Sequence, residues 1–536
     1  MTMNSLLSRA HTGLTAIVLA ALAVLPAFYL SMGLADPQGV PRIALAILLG
    51  WMFVGLVQVE RAARGLTLLG AGRSSWANRL GLAVFVWLLV SSILGQGMAL
   101  SFAWALAIGT YLLVAQSAID WLEGRPARRQ AVLVALGALI GTQVLFAIGQ
   151  LASLSWTNIG LSVPVFPSST GEPNSAALAV REGLLLLGAH EAPRPSGTML
   201  EPPRLAELLL LTVPVLAAVS LLAARRWQKA VAGVALVAPL AVLTFVLVKG
   251  PNLATIFNFR LQTWKEAVSL WLQHPIAGVG LGWQQMMVAT DIRNTPLHVA
   301  VELGAIGLIL VIAALAVWFR ETWRNDSWSK AMRIGLVVGV AALLIASLVS
   351  SPFASPVIGV AAALVIALGL SRTEAAEPTP MSAPVRTGYA FATLIVLGTL
   401  GWSTVQQVAR PMLAASRFDF ASQALAATDK RSEEQVVLAL AERHAPGNSD
   451  LRLRRIENLV AQAKFDDAKA LLAASKPEQL GPEVDYWAGR VSEGLKDPQA
   501  AVAAYERALS QLPASHHLVK PATERVAKLK PGSAAK

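Results

Sequence analysis

The sequence predicts an all-α protein in which a polytopic membrane helix bundle of about eleven spans precedes a helical C-terminal region. Of the 536 residues, 55% are hydrophobic and only 14% are charged, whereas soluble domains carry about 25% charged residues. The apolar residues collect in runs of about 20, the length that crosses a bilayer as a helix. After Val408 the composition becomes charged and rich in Ala and Leu. An ordinary soluble globular protein is therefore excluded.

Eleven apolar segments are the predicted spans, in chain order. They cover roughly 12–33, 40–59, 80–95, 97–118, 131–152, 204–224, 230–249, 297–319, 332–350, 355–371 and 388–408. Arg9 precedes the first segment, and no convincing small-residue cleavage site follows it. We therefore expect a retained signal anchor.

The basic residues alternate between the two sides of this bundle. One set of loops holds 17 of them: Arg9, Arg61, Arg64, Arg73, Arg79, Arg125, Arg128, Arg129, Arg225, Arg226, Lys229, Arg320, Arg324, Lys330, Arg333, Arg372 and Arg386. The opposite side of residues 1–410 holds 9. Because cytoplasmic loops attract Lys and Arg, we expect a cytoplasmic N-terminus and a periplasmic C-terminal region in a bacterial inner membrane. The same rule accounts for the basic excess, so no nucleic-acid partner is predicted.

Two long loops, at 153–203 and 250–296, lie on the predicted outer side and contradict the charge bias. Their cations, with those at the loop ends, are Arg181, Arg194, Arg204, Lys249, Arg260, Lys265 and Arg293. Such residues either bind an anionic ligand or anchor the chain at the membrane surface by snorkelling. These outer loops contain no Asp-x-Asp pair, so neither a metal ion nor a cofactor is predicted.

The segment 257–310 carries the densest pattern. Leu261, Trp264 and Val268 recur at helical spacing over 260–273, which predicts an amphipathic helix in the membrane interface. His274-Pro275 ends it. The following Gly-x-Gly-x-Gly run lacks the Lys-Ser/Thr of a phosphate-binding loop, so we expect a turn that lets the backbone approach a ligand.

The C-terminal region, 411–536, is predicted to be a periplasmic α-solenoid. Gly489, Ala501, Tyr505 and Ala508 fall at the spacing of a tetratricopeptide repeat. Ala468 lies 33 residues before Ala501, and a further hairpin is expected over 417–446. The region is either a docking surface for periplasmic proteins or a stable cap on the membrane domain, which covers 1–410.

The motifs of 190–310 together resemble the O-antigen ligase / polysaccharide polymerase superfamily. The matching motifs are Arg194-Pro-Ser-Gly-Thr-Met-Leu-Glu-Pro-Pro-Arg204-Leu-Ala206, Arg260-x-x-x-Trp264, His274-Pro-x-x-Gly-x-Gly-x-Gly282, Asn294-x-x-Leu297 and Glu302-x-Gly304-x-x-Gly307. The family often has His directly before that Asn, where this chain has Arg293. The resemblance implies a GT-C-like membrane glycosyltransferase that takes a glycan from an undecaprenyl-diphosphate carrier.

The resemblance also implies roles for particular residues. Arg194, Arg260 and Arg293 would bind the diphosphate, because guanidinium groups pair with phosphate oxygens in a bidentate manner. His298 would replace the family's His as the base on the acceptor hydroxyl, and Glu302, on the same helical face, would orient it or pair with an Arg. Three secondary candidates are Arg181, Arg204 and His274.

The acceptor is left open by the sequence. It is a second glycan in a surface or exopolysaccharide polymerase, lipid A-core in a ligase of lipopolysaccharide biosynthesis, or a protein hydroxyl in a protein O-oligosaccharyltransferase. A lipid-linked glycan flippase or other transporter is the alternative from another class. Transporters place ionisable residues and broken helices near the bilayer midplane, whereas the predicted spans here are nearly free of mid-span charge. A non-catalytic assembly scaffold would need the C-terminal region but not the loop arginines.

Overall fold

The computed structural model describes residues 3–28, 39–66, 75–95, 98–151, 202–222, 253–281, 292–372, 382–444, 449–475, 483–512 and 518–530. Every regular element in these ranges is a helix, as the sequence predicts. Eight helices of the described part are long and apolar enough to cross a membrane. The chain is therefore a helical, multi-pass membrane protein.

Ten long helices come first in the described residues, and all but one of them overlap a predicted span. They are α1 (Met3–Phe28), α2 (Gly39–Ala63), α3 (Trp76–Leu94), α4 (Met98–Leu122), α5 (Pro126–Leu151), α6 (Pro202–Leu222), α7 (Leu253–Gln273), α8 (Thr295–Trp323), α9 (Lys330–Ser347) and α10 (Pro356–Leu370). Of these, α7 is the predicted interfacial helix. The predicted span at 230–249 lies outside the described residues, so the count of eleven stays a prediction.

Helix α10 forms the centre of the bundle. Thirteen of its 15 residues are buried, and it packs against α1, α4, α6, α8 and α9. A helix that is apolar all round is expected in such a position. At 1.5 Å per residue it is about 22 Å long, shorter than the bilayer's hydrocarbon core of about 30 Å.

Side chains from the α8–α9 connection close the end of α10. The last carbonyls of a helix have no partner within it. Asn325 Nδ2 donates to the carbonyl oxygens of Gly369 (2.8 Å) and Ser371 (2.9 Å), and Trp328 Nε1 donates to that of Leu368 (2.7 Å). A helix end buried in the bundle is thus satisfied by polar groups of one short connection.

Two glycines allow α9 to pack closely on α6. A Cβ on Gly335 would lie 2.5 Å from the carbonyl oxygen of Pro214, and one on Gly339 would overlap that of Leu211. Glycines four residues apart are a common means of close helix contact in membranes. The pair fixes α9 against α6 without a polar side chain.

Hydrogen bonds between α3 and α8 identify the two ends of the bundle. Ser75, the N-cap of α3, donates to Glu321 near the end of α8 (2.6 Å). Ser91, near the end of α3, donates to the carbonyl oxygen of Glu302 (3.2 Å). The helices are therefore antiparallel. We call the two ends of the bundle the Glu321 end and the Asn294 end, after a residue at each; the charge pattern predicts the latter to be periplasmic.

Beyond α10 the chain continues as one long helix into the C-terminal region. Helix α11 (Ala383–Thr404) passes through a π-helical turn (Val405–Ala409) into α12 (Arg410–Ala427). The predicted boundary at 410/411 lies inside this helix. Both the π turn and α12 contact α2, so the C-terminal region is joined to the bundle by continuous helix and by packing.

The remaining helices pair in sequence order. They are α13 (Arg431–His444), α14 (Ser449–Ala461), α15 (Phe465–Ala473), α16 (Glu483–Gly494), α17 (Pro498–Gln511) and α18 (Val519–Leu529). In the α16–α17 pair, a Cβ on Gly489 would lie 2.6 Å from the Tyr505 ring, and Ala501 and Ala508 are fully buried. The residues singled out by their spacing thus lie at one helix contact; the tetratricopeptide assignment itself stays a prediction.

Candidate functional site

A backbone break in α8 is the centre of the candidate site. Gly304 has φ +68° and ψ −172°, so regular helix stops there. The carbonyls of Val301 and Glu302 accept from the N–H groups of Val279 (2.9 Å) and Gly280 (3.1 Å). Beyond the break, the N–H of Ala305 donates to Pro275 (2.8 Å). The turn after α7 therefore satisfies the backbone groups that the break exposes, as non-helical backbone at membrane depth requires.

Glycines are required on both sides of this contact. A Cβ on Gly304 would overlap the carbonyl of Ile276, and one on Gly278 would overlap that of Glu302. Gly278 and Gly280 also have φ of +74° and +100°, a region that only glycine adopts at low cost. The sequence predicts a turn whose backbone approaches a ligand. In the described residues the close approach is instead to the backbone of α8.

Helices α3 and α4 hold the turn in place through side chains that sequence analysis missed. Ser91 Oγ donates to the carbonyl of Ala277 (2.9 Å) as well as to Glu302. Ser101 Oγ donates to Leu281 (3.0 Å), and Trp87 Nε1 to Leu303 (2.9 Å). Polar residues within apolar spans indicate such contacts, but the sequence does not show which residue the partner is.

The Asn-x-x-Leu motif is the N-cap of α8. The side chain of Asn294 accepts from the N–H of Leu297 (2.9 Å) and donates to the carbonyl of Leu348 (2.9 Å). Just before it, Arg293 is exposed and has φ +42°. A left-handed conformation in a residue other than glycine costs about 1–2 kcal/mol. The cap therefore holds Arg293 at a defined point beside the positive end of the helix dipole.

One turn into α8, His298 and Glu302 form the predicted pair. Nε2 of His298 lies 3.1 Å from Oε1 of Glu302. Glu302 is buried (7% exposed), while His298 is half-buried. The carboxylate of Glu302 thus lies between the partly exposed imidazole and the break at Gly304. The backbone of Glu302 is held in place because its carbonyl accepts hydrogen bonds from Gly280 and Ser91.

This arrangement is suited to moving a proton. With the proton on Nε2, His298 would face the carboxylate of Glu302 through that N–H and would keep the Nδ1 lone pair as its basic atom. A buried carboxylate that orients an imidazole and stabilises its charged form is a recurring device of general-base catalysis. The pair therefore places a candidate base at the end of the bundle where α8 begins.

Arg204 lies near the same end, and the contacts described for it are with other parts of the fold. Its Nη1 donates to the carbonyl of Ser351 and lies 3.4 Å from Oε2 of the buried Glu207. The neighbouring Ser350 carbonyl accepts from Thr295 at the start of α8 (3.2 Å). The connection between α9 and α10 therefore brings the starts of α6 and α8 together.

Helix α7 covers the predicted amphipathic segment, and only some of its apolar residues are exposed. Leu261, Val268 and Leu272 are exposed, as an interfacial helix requires. Trp264 is instead half-buried and donates through Nε1 to the carbonyl of Ile292 (2.8 Å), next to Arg293. The helix thus supports the start of α8 as well as presenting an apolar face outward.

The other predicted site residues are placed as follows. Arg260 lies on α7, but its side chain is outside the described residues, as are Arg181 and Arg194. His274 is half-buried at the end of α7, where its carbonyl accepts from Gly278 (3.1 Å). The structure thus brings together His298, Glu302 and the Arg293–Asn294 cap, with His274 starting the turn that packs on α8.

A second polar region lies at the Glu321 end, among residues that the sequence analysis counted only as loop charges. Glu60 is close to Arg125 (3.5 Å) and Arg128 (3.2 Å). Arg61 pairs with the buried Asp120 (3.5 Å). These pairs join the ends of α2 and α4 to the start of α5. They satisfy cations in the bundle and provide no reactive group.

A cavity of about 830 Å³ also opens at the Glu321 end. Arg320, Arg324 and Arg372 line it together with Glu321, which caps α3. It is at the opposite end of α8 from His298. We therefore place the candidate site by its chemistry and not by the size of this cavity.

Comparison with known proteins adds no relative: no family model, no curated protein and no solved structure matches the chain. The functional argument therefore rests on the geometry of the site and on the motifs.

Proposed function

We propose that the protein is a membrane glycosyltransferase that transfers or polymerises a glycan from an undecaprenyl-diphosphate carrier to an acceptor hydroxyl. The observation that carries the proposal is the His298–Glu302 pair, 3.1 Å apart, one turn inside a helix whose cap holds Arg293. A base and an exposed guanidinium thus occur at one end of the bundle. The charge pattern predicts this end to be periplasmic, where such glycans are assembled.

The reaction assigns each residue a task. The acceptor hydroxyl attacks the anomeric carbon and loses its proton to Nδ1 of His298. The bond between that carbon and the diphosphate oxygen breaks, and the carrier diphosphate leaves with the electron pair. Arg293, with Arg260 and Arg194 as further candidates, would stabilise the negative charge that develops on the leaving group. Such electrostatic stabilisation often contributes more to the rate enhancement of an enzyme than any other effect.

The position of α7 supports a lipid-linked donor. Its exposed Leu261, Val268 and Leu272 provide an apolar face, and its end continues into the turn that packs on Val301 and Glu302. A donor held by its lipid in the membrane would reach the site along this face. The acceptor, whether a glycan, lipid A-core or a protein, leaves no feature in the described residues.

The break at Gly304 also favours a second candidate, a flippase for the lipid-linked glycan. Discontinuous helices with ionisable residues beside the break occur at transporter substrate sites. In the described residues, however, the groups exposed by the break are bonded to the 275–280 turn. A transporter would require this contact to open during the cycle, whereas a transferase would require it to stay closed.

The decisive experiment uses the purified full chain with a lipid-diphosphate-linked glycan. Products of altered length indicate a polymerase, and transfer to lipid A-core or to a protein identifies the other two acceptors. Arg293→Ala and Arg260→Ala should lower transfer on the order of 100-fold, with partial recovery by Lys, because a point charge cannot replace the planar guanidinium.

The matched control is Lys330→Ala, which removes an exposed cation at the Glu321 end. It should leave transfer unchanged. Near-normal transfer in both arginine variants would contradict the diphosphate role. Movement of the glycan across a vesicle membrane without any transfer would contradict the glycosyltransferase and support the flippase.

A further inference from the structure

A groove at the junction of bundle and C-terminal region has no role in the proposed reaction. It lies between Ala44 and Leu48 of α2 on one side and Leu413, Ala414 and Phe418 of α12 on the other, with a volume of about 520 Å³. Leu48 is 44% exposed. Helices α3, α7 and α8, which form the candidate site, do not line it. We call it the Arg410 groove.

The charged residues of the groove are two arginines of α12. Arg410 and Arg417 both line it and both are exposed. Seven residues is about two helical turns, so they lie on one face of α12. No carboxylate is among the described residues that line the groove. Asp419, next to Phe418 in the chain, is paired with Arg454 of α14 instead.

The groove adjoins the end of a predicted span. Helix α11 presents exposed apolar side chains, Phe391, Leu394 and Trp402 among them, as a lipid-facing span does. The predicted span at 388–408 ends just before Arg410, and Arg410 follows directly after the π turn. The groove therefore has apolar walls and two cations close to the predicted end of a span.

We propose that the Arg410 groove binds an anionic phospholipid of the surrounding membrane. An acyl chain would pack against Leu48, Leu413 and Ala414, and the phosphate would lie between Arg410 and Arg417. A water-soluble anion would not account for the apolar walls, and an uncharged lipid would not account for the cations. Guanidinium groups bind phosphate oxygens through charge-assisted, often bidentate hydrogen bonds. This inference does not depend on the proposed glycosyltransferase function.

The site would connect the membrane to the C-terminal region. Because α11 and α12 form one helix, a headgroup held at Arg410 and Arg417 fixes how far that helix projects from the bilayer. The bound lipid would thereby set the height of the helices that follow, from Arg431 onward, above the membrane surface.

The test measures thermal unfolding of the full chain in detergent with added dioleoyl phosphatidylglycerol. A ligand of the folded state raises the melting temperature. Arg410→Gln/Arg417→Gln should weaken the apparent affinity for this lipid about tenfold or more. Ala414→Phe, which fills the groove but keeps both cations, should also reduce it. The charge control is Lys469→Gln/Lys520→Gln, which removes two exposed cations elsewhere in the C-terminal region.

Three comparisons make the outcome decisive. Phosphatidylcholine should stabilise less than phosphatidylglycerol, and glycerol 3-phosphate, which has no acyl chain, should not stabilise at all. Equal stabilisation of the double arginine variant and the wild type, or of the wild type by glycerol 3-phosphate alone, would overturn the proposal. If the double variant melts early without lipid, an unchanged lipid response in Ala414→Phe would overturn it instead.

Discussion

The candidate base can be separated from the candidate phosphate ligands by pH. His298→Ala should lower transfer by about 10²–10⁴-fold and should remove a pH dependence near neutrality, since histidine changes charge in that range. Glu302→Gln keeps the shape but removes the carboxylate 3.1 Å from Nε2, so it should lower the rate without abolishing it. The measurement is the transfer rate of purified protein across neutral pH.

Arg293→Ala is the matched comparison, because it should lower the rate at every pH. An unchanged rate and pH profile in His298→Ala would show that the reaction needs no base at this position. The diphosphate role of Arg293 would then remain, since readily departing leaving groups require less help from a base.

The glycines at the break in α8 should be intolerant of a methyl group. Gly304→Ala and Gly278→Ala each place a Cβ onto a backbone carbonyl at positive φ, a conformation that costs other residues about 1–3 kcal/mol. Gly398→Ala is the control, because nothing lies within 4 Å of its Cβ on the exposed α11. Melting temperatures in detergent should fall for the first two and not for the third.

Equal melting of all three variants would show that the turn can separate from α8 at little cost. That result would favour the flippase, whose cycle requires such an opening, over the transferase.

The motifs predicted contacts between residues close in the chain but not contacts between distant ones. The spacing of His298 and Glu302 predicts a shared helix face because that rule is local, and the two atoms are indeed in contact. The partners of the glycine run were not predictable, because Gly278 and Glu302 are brought together only by the packing of α7 and α8. Arg204 is a second example, because the carbonyl that it donates to belongs to Ser351, almost 150 residues away in the chain.

The buried C-terminal end of α10 depends on hydrogen bonds from another connection. Asn325 is buried and bonds to the carbonyls of Gly369 and Ser371. Asn325→Ala should destabilise the bundle by about 1–3 kcal/mol, because two buried acceptors lose their donor. The measurement is thermal unfolding in detergent.

The neighbouring Asp326 provides the matched control. Its carboxylate is 94% exposed and pairs with Arg333 at 3.0 Å, and exposed pairs contribute about 0–1 kcal/mol. Asp326→Ala should therefore melt close to the wild type. A similar loss in both variants would show that the whole α8–α9 connection, and not the Asn325 bonds, closes α10.

The apolar helices could be predicted from the sequence because hydrophobicity is a property of each segment alone. The described helices α1 to α6 and α8 to α11 each overlap a predicted span. Two features were not predictable in this way. Helix α10 is only 15 residues long, and its last carbonyls accept hydrogen bonds from side chains of the α8–α9 connection. The second is the continuation of α11 through Arg410 into α12. The sequence predicted a boundary at 410/411 from a change in composition, and such a change does not have to coincide with a helix end.

For the whole molecule, the relative position of the two ends can be tested without reference to the reaction. The α8–α9 connection lies at the Glu321 end, whereas α12 leaves the bundle beside the start of α2. A reporter inserted at 324–329 should be active only in the cytoplasm, and one fused after Lys536 only in the periplasm. The charge bias of the loops gives the direction.

Activity of both reporters on one side would contradict the arrangement of the ends. Activity of both on the sides opposite to those expected would preserve the fold and reverse the orientation. That second result would place His298 in the cytoplasm and remove the periplasmic glycan donor from consideration.

In acid, the C-terminal region should lose the stabilisation that one ion-paired contact between α13 and α14 provides. Glu442 of α13 accepts from Arg452 Nε (2.6 Å) and from Arg455 Nη1, both of α14. Burial acts to raise the pKa of Glu442, but the hydrogen bonds from the two arginines outweigh it and lower that pKa below the ordinary value. A carboxyl group whose pKa falls on folding stabilises the fold above its unfolded pKa, about 4.3 for Glu, and this stabilisation is lost as the pH falls through the lower, folded pKa.

The variant Glu442→Gln isolates this contribution from others in the region. Burial raises the pKa of the nearby Glu434, which has the opposite pH dependence, so the wild type alone would mix the two effects. The chain contains no cysteine, so a fluorophore on Lys469→Cys, exposed on α15, reports on this region alone within the full protein. In urea at pH 7, Glu442→Gln should lower the free energy of unfolding by about 1–3 kcal/mol. The difference should begin to shrink below about pH 4, where the carboxyl group of the unfolded wild type takes up a proton, and should vanish below the lower pKa of the folded state. A difference that persists unchanged in acid would mean that Gln disturbs the packing of α13 on α14, and that the ion pairs do not hold the two helices together.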